Sequence, residues 1–244
     1  VEETKALNSF AERGYLSPTI DDFRVTQKAT YKEVFEEVEA ASDIAQVTLM
    51  GACVDLNEPH MVAAIVFLQR TIRSCQAALI LCERGLVVDA QTLLRSAVEA
   101  MFHGIALIND PSVFTRIARE GDIVEAKQAD AMIKSLSENG LTEQNIVDLT
   151  EVVSRGAGKG AGFSTYDAAR VAGLMPLYDT FYRGLSGIAS HATFRSMDSS
   201  IFVGDESAAL MAGPTDLHLE FTLGLLKVCL EISNTKLRES CIFN

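Results

Sequence analysis

The sequence has no run of about 18 uncharged apolar residues, the length a helical membrane span requires, and no basic-then-apolar leader. Its best apolar stretch, Met61 to Val88, is interrupted by Arg70, Arg73, Glu83 and Arg84. Both absences point to a cytoplasmic chain without a membrane partner. The five cysteines, Cys53, Cys75, Cys82, Cys229 and Cys241, form no C-x-x-C pair and are odd in number, a pattern suited to a reducing compartment. Positive charge is also in deficit, with 21 Lys and Arg against 33 Asp and Glu and a formal charge of −12. Such a chain repels phosphate backbones on average, which argues against non-specific DNA binding while leaving room for a small basic cleft.

Several chemical signatures are missing too. There is no His-Glu-x-x-His and no cysteine-ligand spacing for zinc. Asp55, Glu58 and His60 form one acidic-histidine cluster, and Asp216, His218 and Glu220 a second, but neither contains the Glu-x-x-His pairs of di-iron bundles. Solvated helix caps explain both, so no metal and no cofactor is expected. Gly184-Leu185-Ser186-Gly187 has the wrong spacing for a serine-hydrolase elbow. In Arg155 to Gly162 the lysine, Lys159, is followed by Gly160 rather than Ser or Thr, and no strand precedes it, so a flexible Gly-rich loop at 155–163 is the better reading than a phosphate loop.

What is present reads as helix. Ser17-Pro18, Asn57 with Pro59, and Asp110-Pro111 each place a capping side chain beside a first-turn proline. Gly85 and Asn139-Gly140 supply the stops. Between these marks the pattern predicts helices over 29–55, 58–84, 87–109, 111–138, 143–155, 165–173, 175–191 and 214–240, with a short one near 18–27. Met61, Ile65, Leu68, Ile72, Cys75, Leu79, Cys82 and Leu86 alternate four- and three-residue steps, the seam of a helix packed along a neighbour. Val87, Ala90, Leu94, Ala97, Met101, Gly104 and Ile108 continue it beyond Gly85, predicting an antiparallel helical hairpin at the centre of a bundle.

The fold class expected is therefore all-α, a helical bundle with at most a small β-hairpin near 199–212. Residues 1–244 are expected to form one domain, with the N-terminal helices of 18–55 packed on the core. The last helix is apolar on two sides, Leu217, Phe221, Leu225, Val228 and Ile232 on one and Leu219, Leu223, Leu226 and Leu230 on the other. A helix of that kind is central or lies in a subunit interface, from which a homodimer is expected.

Two constellations could carry chemistry. Arg95, Glu99 and His103 fall at i, i+4 and i+8 on an otherwise apolar helix, with Ser96 beside them. This is either a solvated stripe or an internal polar pocket in which Arg95 binds an anion and His103 exchanges a proton near neutral pH. The second runs from Tyr178 to His191 and includes Tyr182, Arg183 and Ser186; Gly184 and Gly187 within it suggest the close approach of a backbone, side chain or ligand. His191 is equally well explained as a histidine favoured by the helix C-terminal dipole.

Gly85 with Asp89-Ala90, then Leu94-Arg95-Ser96-x-x-Glu99, then Tyr178-x-x-x-Tyr182-x-x-Leu185-Ser186-x-x-x-x-His191 resembles the bacterial domain of unknown function 5677 family, over roughly residues 60 to 195. The resemblance implies an all-helical fold and a shared site built from Arg95, Glu99, Tyr182, Ser186 and His191. That family is loosely similar to the HEPN superfamily, some of whose members are metal-independent ribonucleases with an Arg and a His paired on one helix. Here Arg183 and His191 have seven residues between them and lie about 80° apart on a helical wheel, a departure from that motif.

Two functions are open on this basis. One is a HEPN-like enzyme acting on RNA or a nucleotide, with His191 as general acid/base and Arg183 or Arg95 stabilising the phosphate transition state. The other is a non-catalytic module in which Arg95, Glu99, Tyr182 and Ser186 bind an anionic small molecule or a partner protein, or lock the bundle as a hydrogen-bond network.

Overall fold

The stepped apolar seam from Met61 becomes a long helix in the computed structural model, which describes residues 9–136, 140–157, 162–190, 200–203 and 207–243. In chain order the helices are α1 (Phe10–Arg13), α2 (Thr19–Thr30), α3 (Lys32–Gly51), α4 (Pro59–Glu83), α5 (Val87–Asn109), α6 (Val113–Leu136), α7 (Glu143–Gly156) and α8 (Thr165–Ala172). A segmented helix, α9, spans 175–190, and α10 (Leu219–Ser240) is the last helix among the described residues. The fold is all-α, and its centre is the antiparallel α4–α5 hairpin.

Burial follows the seam. Leu68, Ile72 and Leu79 of α4 and Leu94, Ala97 and Met101 of α5 all lie in the core. Gly104 lets the hairpin close, because a Cβ there would stand 3.1 Å from the Ala64 carbonyl and 3.1 Å from Leu68. Gly85 makes the corner with φ +74°, in the left-handed region that glycine tolerates best. It has no room for a side chain either: a Cβ would meet Pro214 at 2.5 Å and Phe23 at 2.8 Å. The Thr215 N–H donates to its carbonyl at 3.1 Å, tying the corner to the start of the C-terminal region. By length and hydropathy α4 would pass for a membrane span, but its apolar face is packed into this bundle.

The two apolar sides of α10 are met by three neighbours, α3, α4 and α5. Leu219, Leu223, Leu226 and Leu230 are buried, as is Leu225 on the other side, whereas Leu217 and Phe221 stay exposed. The short helix expected near 18–27 and the long one over 29–55 appear as α2 and α3, with the boundary between them at Tyr31 rather than at residue 28. Tyr31 adopts φ −107° and ψ 33°, separating α2 from α3, and its hydroxyl donates to Asp216 at 2.7 Å. A tertiary hydrogen bond thus marks a break for which the local sequence has no Gly or Pro.

The small hairpin expected near 199–212 is present: β2 (Ile201–Val203) pairs antiparallel with β3 (Ala208–Leu210), Ile201 opposite Leu210. A second short ladder, unforeseen in the sequence, joins β1 (Ala52–Cys53) to β4 (Ile242–Phe243). No disulfide joins the five cysteines. Burial, with the Glu83 charge second, pushes the Cys82 thiol up to about 12, and Cys75 is raised by its hydrogen bond with Cys229 and then by burial. Residues 158–161 of the Gly-rich loop expected at 155–163 lie outside the described residues.

Candidate functional site

The polar stripe of α5 is a pocket wall. Arg95, Glu99 and His103 follow one another at a four-residue spacing, so all three emerge on one face, toward α4, α6 and α9. The Arg95 Nη2 donates to the Tyr182 hydroxyl at 2.8 Å, and that hydroxyl donates to Glu99 Oε2 at 2.9 Å. Arg95 Nη1 closes the triangle on Glu99 Oε2 at 3.4 Å, and the guanidinium lies 4.8 Å from the centre of the Tyr182 ring. Arginine, carboxylate and phenol therefore each restrain the other two.

Tyr182 is the buried member, 7% exposed, with its ring packed on Phe102 and stacked on Tyr178 at 5.2 Å. Burial, reinforced by the Glu99 charge and opposed by Thr165 and Arg95, raises its hydroxyl above the ordinary tyrosine value. A protonated phenol is what the geometry requires, since it must donate to Glu99 while accepting from Arg95.

A cavity of about 450 Å³ opens in front of this triad. Arg95, Ser96, Glu99 and His103 line it from α5, Phe67 and Arg70 from α4, Ile117 and Glu120 from α6, and Phe163 from the segment before α8. The His103 ring is stacked on Phe67 at 5.6 Å and meets the Phe163 ring edge-on at 5.8 Å. Its Nδ1 lies 2.8 Å from the Glu99 carbonyl, so Nδ1 carries the proton and Nε2 is the atom offered to a ligand. Arg70 has no ion-pair partner among the described residues, and neither has Glu120. The Arg95 Nε–H is buried and unpartnered. Both cationic side chains thus retain N–H groups for an acceptor in the cavity.

The expected site residues part company here. Arg95, Glu99 and Tyr182 come together, and Tyr182 stands behind the other two rather than lining the cavity. Ser186 is half-buried on α9 and does not line it. Arg183 points to solvent, its side chain 69% exposed, beside Asp179 at 3.9 Å. His191 lies outside the described residues. Sequence reasoning gave His103 a proton-exchanging role in one reading of the stripe but left it out of the shared site, and it did not identify Arg70 or Glu120 as site residues. Arg70 was taken only as an interruption of an apolar run, and no local pattern links it to α5 or α6.

The two acidic-histidine clusters carry helix-end structure instead. Asp55 accepts from the Asn57 N–H at 2.8 Å, and the His218 carbonyl accepts from the Thr222 hydroxyl at 2.8 Å. Among the described residues no group of three His, Cys, Asp or Glu is placed to hold a metal ion.

Fold and site together define an all-α bundle protein with a mixed-charge pocket on its central hairpin. Residues 61–208 match the model of a family described as a family of unknown function (DUF5677), and the chain belongs to that family. No curated protein matches it, and no solved structure does. The matched region takes in α4 to α9, and so the whole of the pocket.

Proposed function

We propose that the chain is a helical binding module whose α4–α5–α6 pocket takes a small molecule bearing an oxyanion, a carboxylate or phosphate. The observation that carries this reading is the held Arg95: Tyr182 and Glu99 fix its guanidinium at the back of a cavity of about 450 Å³. A pre-oriented planar guanidinium loses little freedom on binding an oxyanion, which favours affinity. Arg70 adds a second cation at the mouth, and His103 Nε2 and the Phe67 and Phe163 rings supply one polar and two apolar contacts. Glu120 favours a ligand that also carries a donor or cationic group, because it would otherwise face the oxyanion uncompensated. The formal charge of −12 favours a compact ligand over a long polyanion.

Isothermal titration of the full chain with inorganic phosphate, adenosine 5′-monophosphate and a small amino acid tests this. At least one should bind, and Arg70→Ala should weaken it about tenfold without lowering the melting temperature, since Arg70 makes no ion pair among the described residues. Absence of binding by all three defeats the reading. RNA cleavage that disappears in His191→Ala would instead establish the HEPN-like enzyme.

A further inference from the structure

A second cavity, of about 290 Å³, lies between α9 and the start of α10 and shares no lining residue with the Arg95 pocket. Its walls are mostly apolar, with Phe181, Leu185 and Ile188 from α9 facing Phe221 of α10. Three polar side chains interrupt them, Gln91, Thr180 and His218. Gln91 of α5 lines the cavity, is 3% exposed, and its Oε1 is buried with no hydrogen-bond partner.

The orientation of that carboxamide is fixed by its neighbours. The Thr222 hydroxyl donates to the His218 carbonyl at 2.8 Å, so its proton is committed and its oxygen can only accept. Gln91 Nε2, 3.1 Å from Thr222 Oγ1, must therefore be the donor in that contact, which leaves Oε1 as the orphan. Rotating the amide by 180° would set two acceptors against each other. The Thr180 hydroxyl, also in the wall, is spent on the Pro176 carbonyl at 2.6 Å.

The α9 backbone is irregular at this point. It runs as a π turn over Tyr178–Tyr182, an α turn over Arg183–Leu185 and a second π turn over Ser186–Ser190. Such widened turns are rare and concentrate at functional sites. Gly184 lines the cavity between them, and no described atom lies within 4 Å of where its Cβ would stand. The close approach expected at Gly184 is thus not made by any described residue.

We infer that this cavity is a second ligand site, for a small, neutral, mostly apolar molecule with one hydrogen-bond donor, which Gln91 Oε1 accepts. The apolar walls supply the affinity and the carboxamide the selectivity, because an unpaired buried acceptor penalises any apolar ligand that cannot satisfy it.

Phenol and toluene, nearly the same shape and differing by the donor, are suitable probes for ligand-observed NMR on the full chain. Both should bind the wild type. Gln91→Leu should lower the phenol-to-toluene affinity ratio about tenfold, and Gly184→Leu, which fills the cavity, should abolish binding of both. If Gln91→Leu does not fold because Thr222 loses its partner, the double variant Gln91→Leu/Thr222→Val makes the same comparison. No binding of either probe to the wild type, an unchanged ratio on removing the carboxamide, or undiminished binding to Gly184→Leu each overturns the inference.

Discussion

The α4–α5 hairpin and the α9 segment are both helical, both apolar on one side, and built on opposite principles. In the hairpin every turn is regular and glycine appears where two backbones must meet: Gly104 faces Ala64 and Leu68, and Gly85 turns the corner under Pro214 and Phe23. In α9 two of four stretches are π turns, and no described residue of another element packs against Gly184. The hairpin's regularity follows from packing that rewards each seam position. The widened turns of α9 forgo that gain, and the smaller cavity lies where this irregular helix meets α5 and the start of α10.

The contrast can be broken most forcefully from the hairpin side. Ile72 is 1% exposed, and Ile72→Ala should cost about 2–5 kcal/mol in a urea melt. Gly85→Ala follows at about 2–3 kcal/mol, from left-handed strain plus the displacement of Pro214 or Phe23, whereas Gly184→Ala should change stability by under about 1 kcal/mol. Equal losses at the two glycines would erase the difference drawn here.

Between the two regions stands the Arg95–Glu99–Tyr182 triad, where smaller effects are expected. Tyr182→Phe removes the hydroxyl that both partners use and should cost about 1–2 kcal/mol. Glu99 is 39% exposed, so solvent screens its pair with Arg95, and Glu99→Ala should cost only about 1 kcal/mol. A larger loss would mean that the triad is structural first and a binding device second. The smallest effect is one of pH. The Tyr182 hydroxyl is raised by burial, so the folded chain keeps a proton that the unfolded chain begins to release near the ordinary tyrosine value of about 10. Its contribution to stability is complete below that pH and is lost as pH rises through the raised value. Melting temperatures at alkaline pH should therefore fall less steeply in Tyr182→Phe than in the wild type, with Tyr15, Tyr31, Cys75, Cys82, Lys28 and Lys227, all raised as well, contributing to the slope that remains.

How far these features could be read from residues alone depends on the range of the interactions that set them. The hairpin is local: a four-three alternation and one glycine encode it, and Leu68, Ile72 and Leu79 are buried as the spacing requires. Arg95 and Glu99 were readable for the same reason, being the polar exceptions on an apolar helix. The β1–β4 ladder was not, because it pairs residues 52–53 with 242–243, distant in sequence. Arg70 and Glu120 join the pocket only through the packing of α4 and α6 around α5, a relation without local periodicity. Arg183 shows the converse. Its position near a histidine made it a candidate, yet it lies on the solvent side of α9 beside Asp179.

That difference between two arginines offers the most direct test of the binding reading. In arginine-selective NMR, titration with the phosphate-bearing probe should shift and saturate the Arg95 Nε–H resonance while leaving that of Arg183 in place. An unmoved Arg95 resonance, or equal movement at both, would contradict a ligand site built on the held guanidinium.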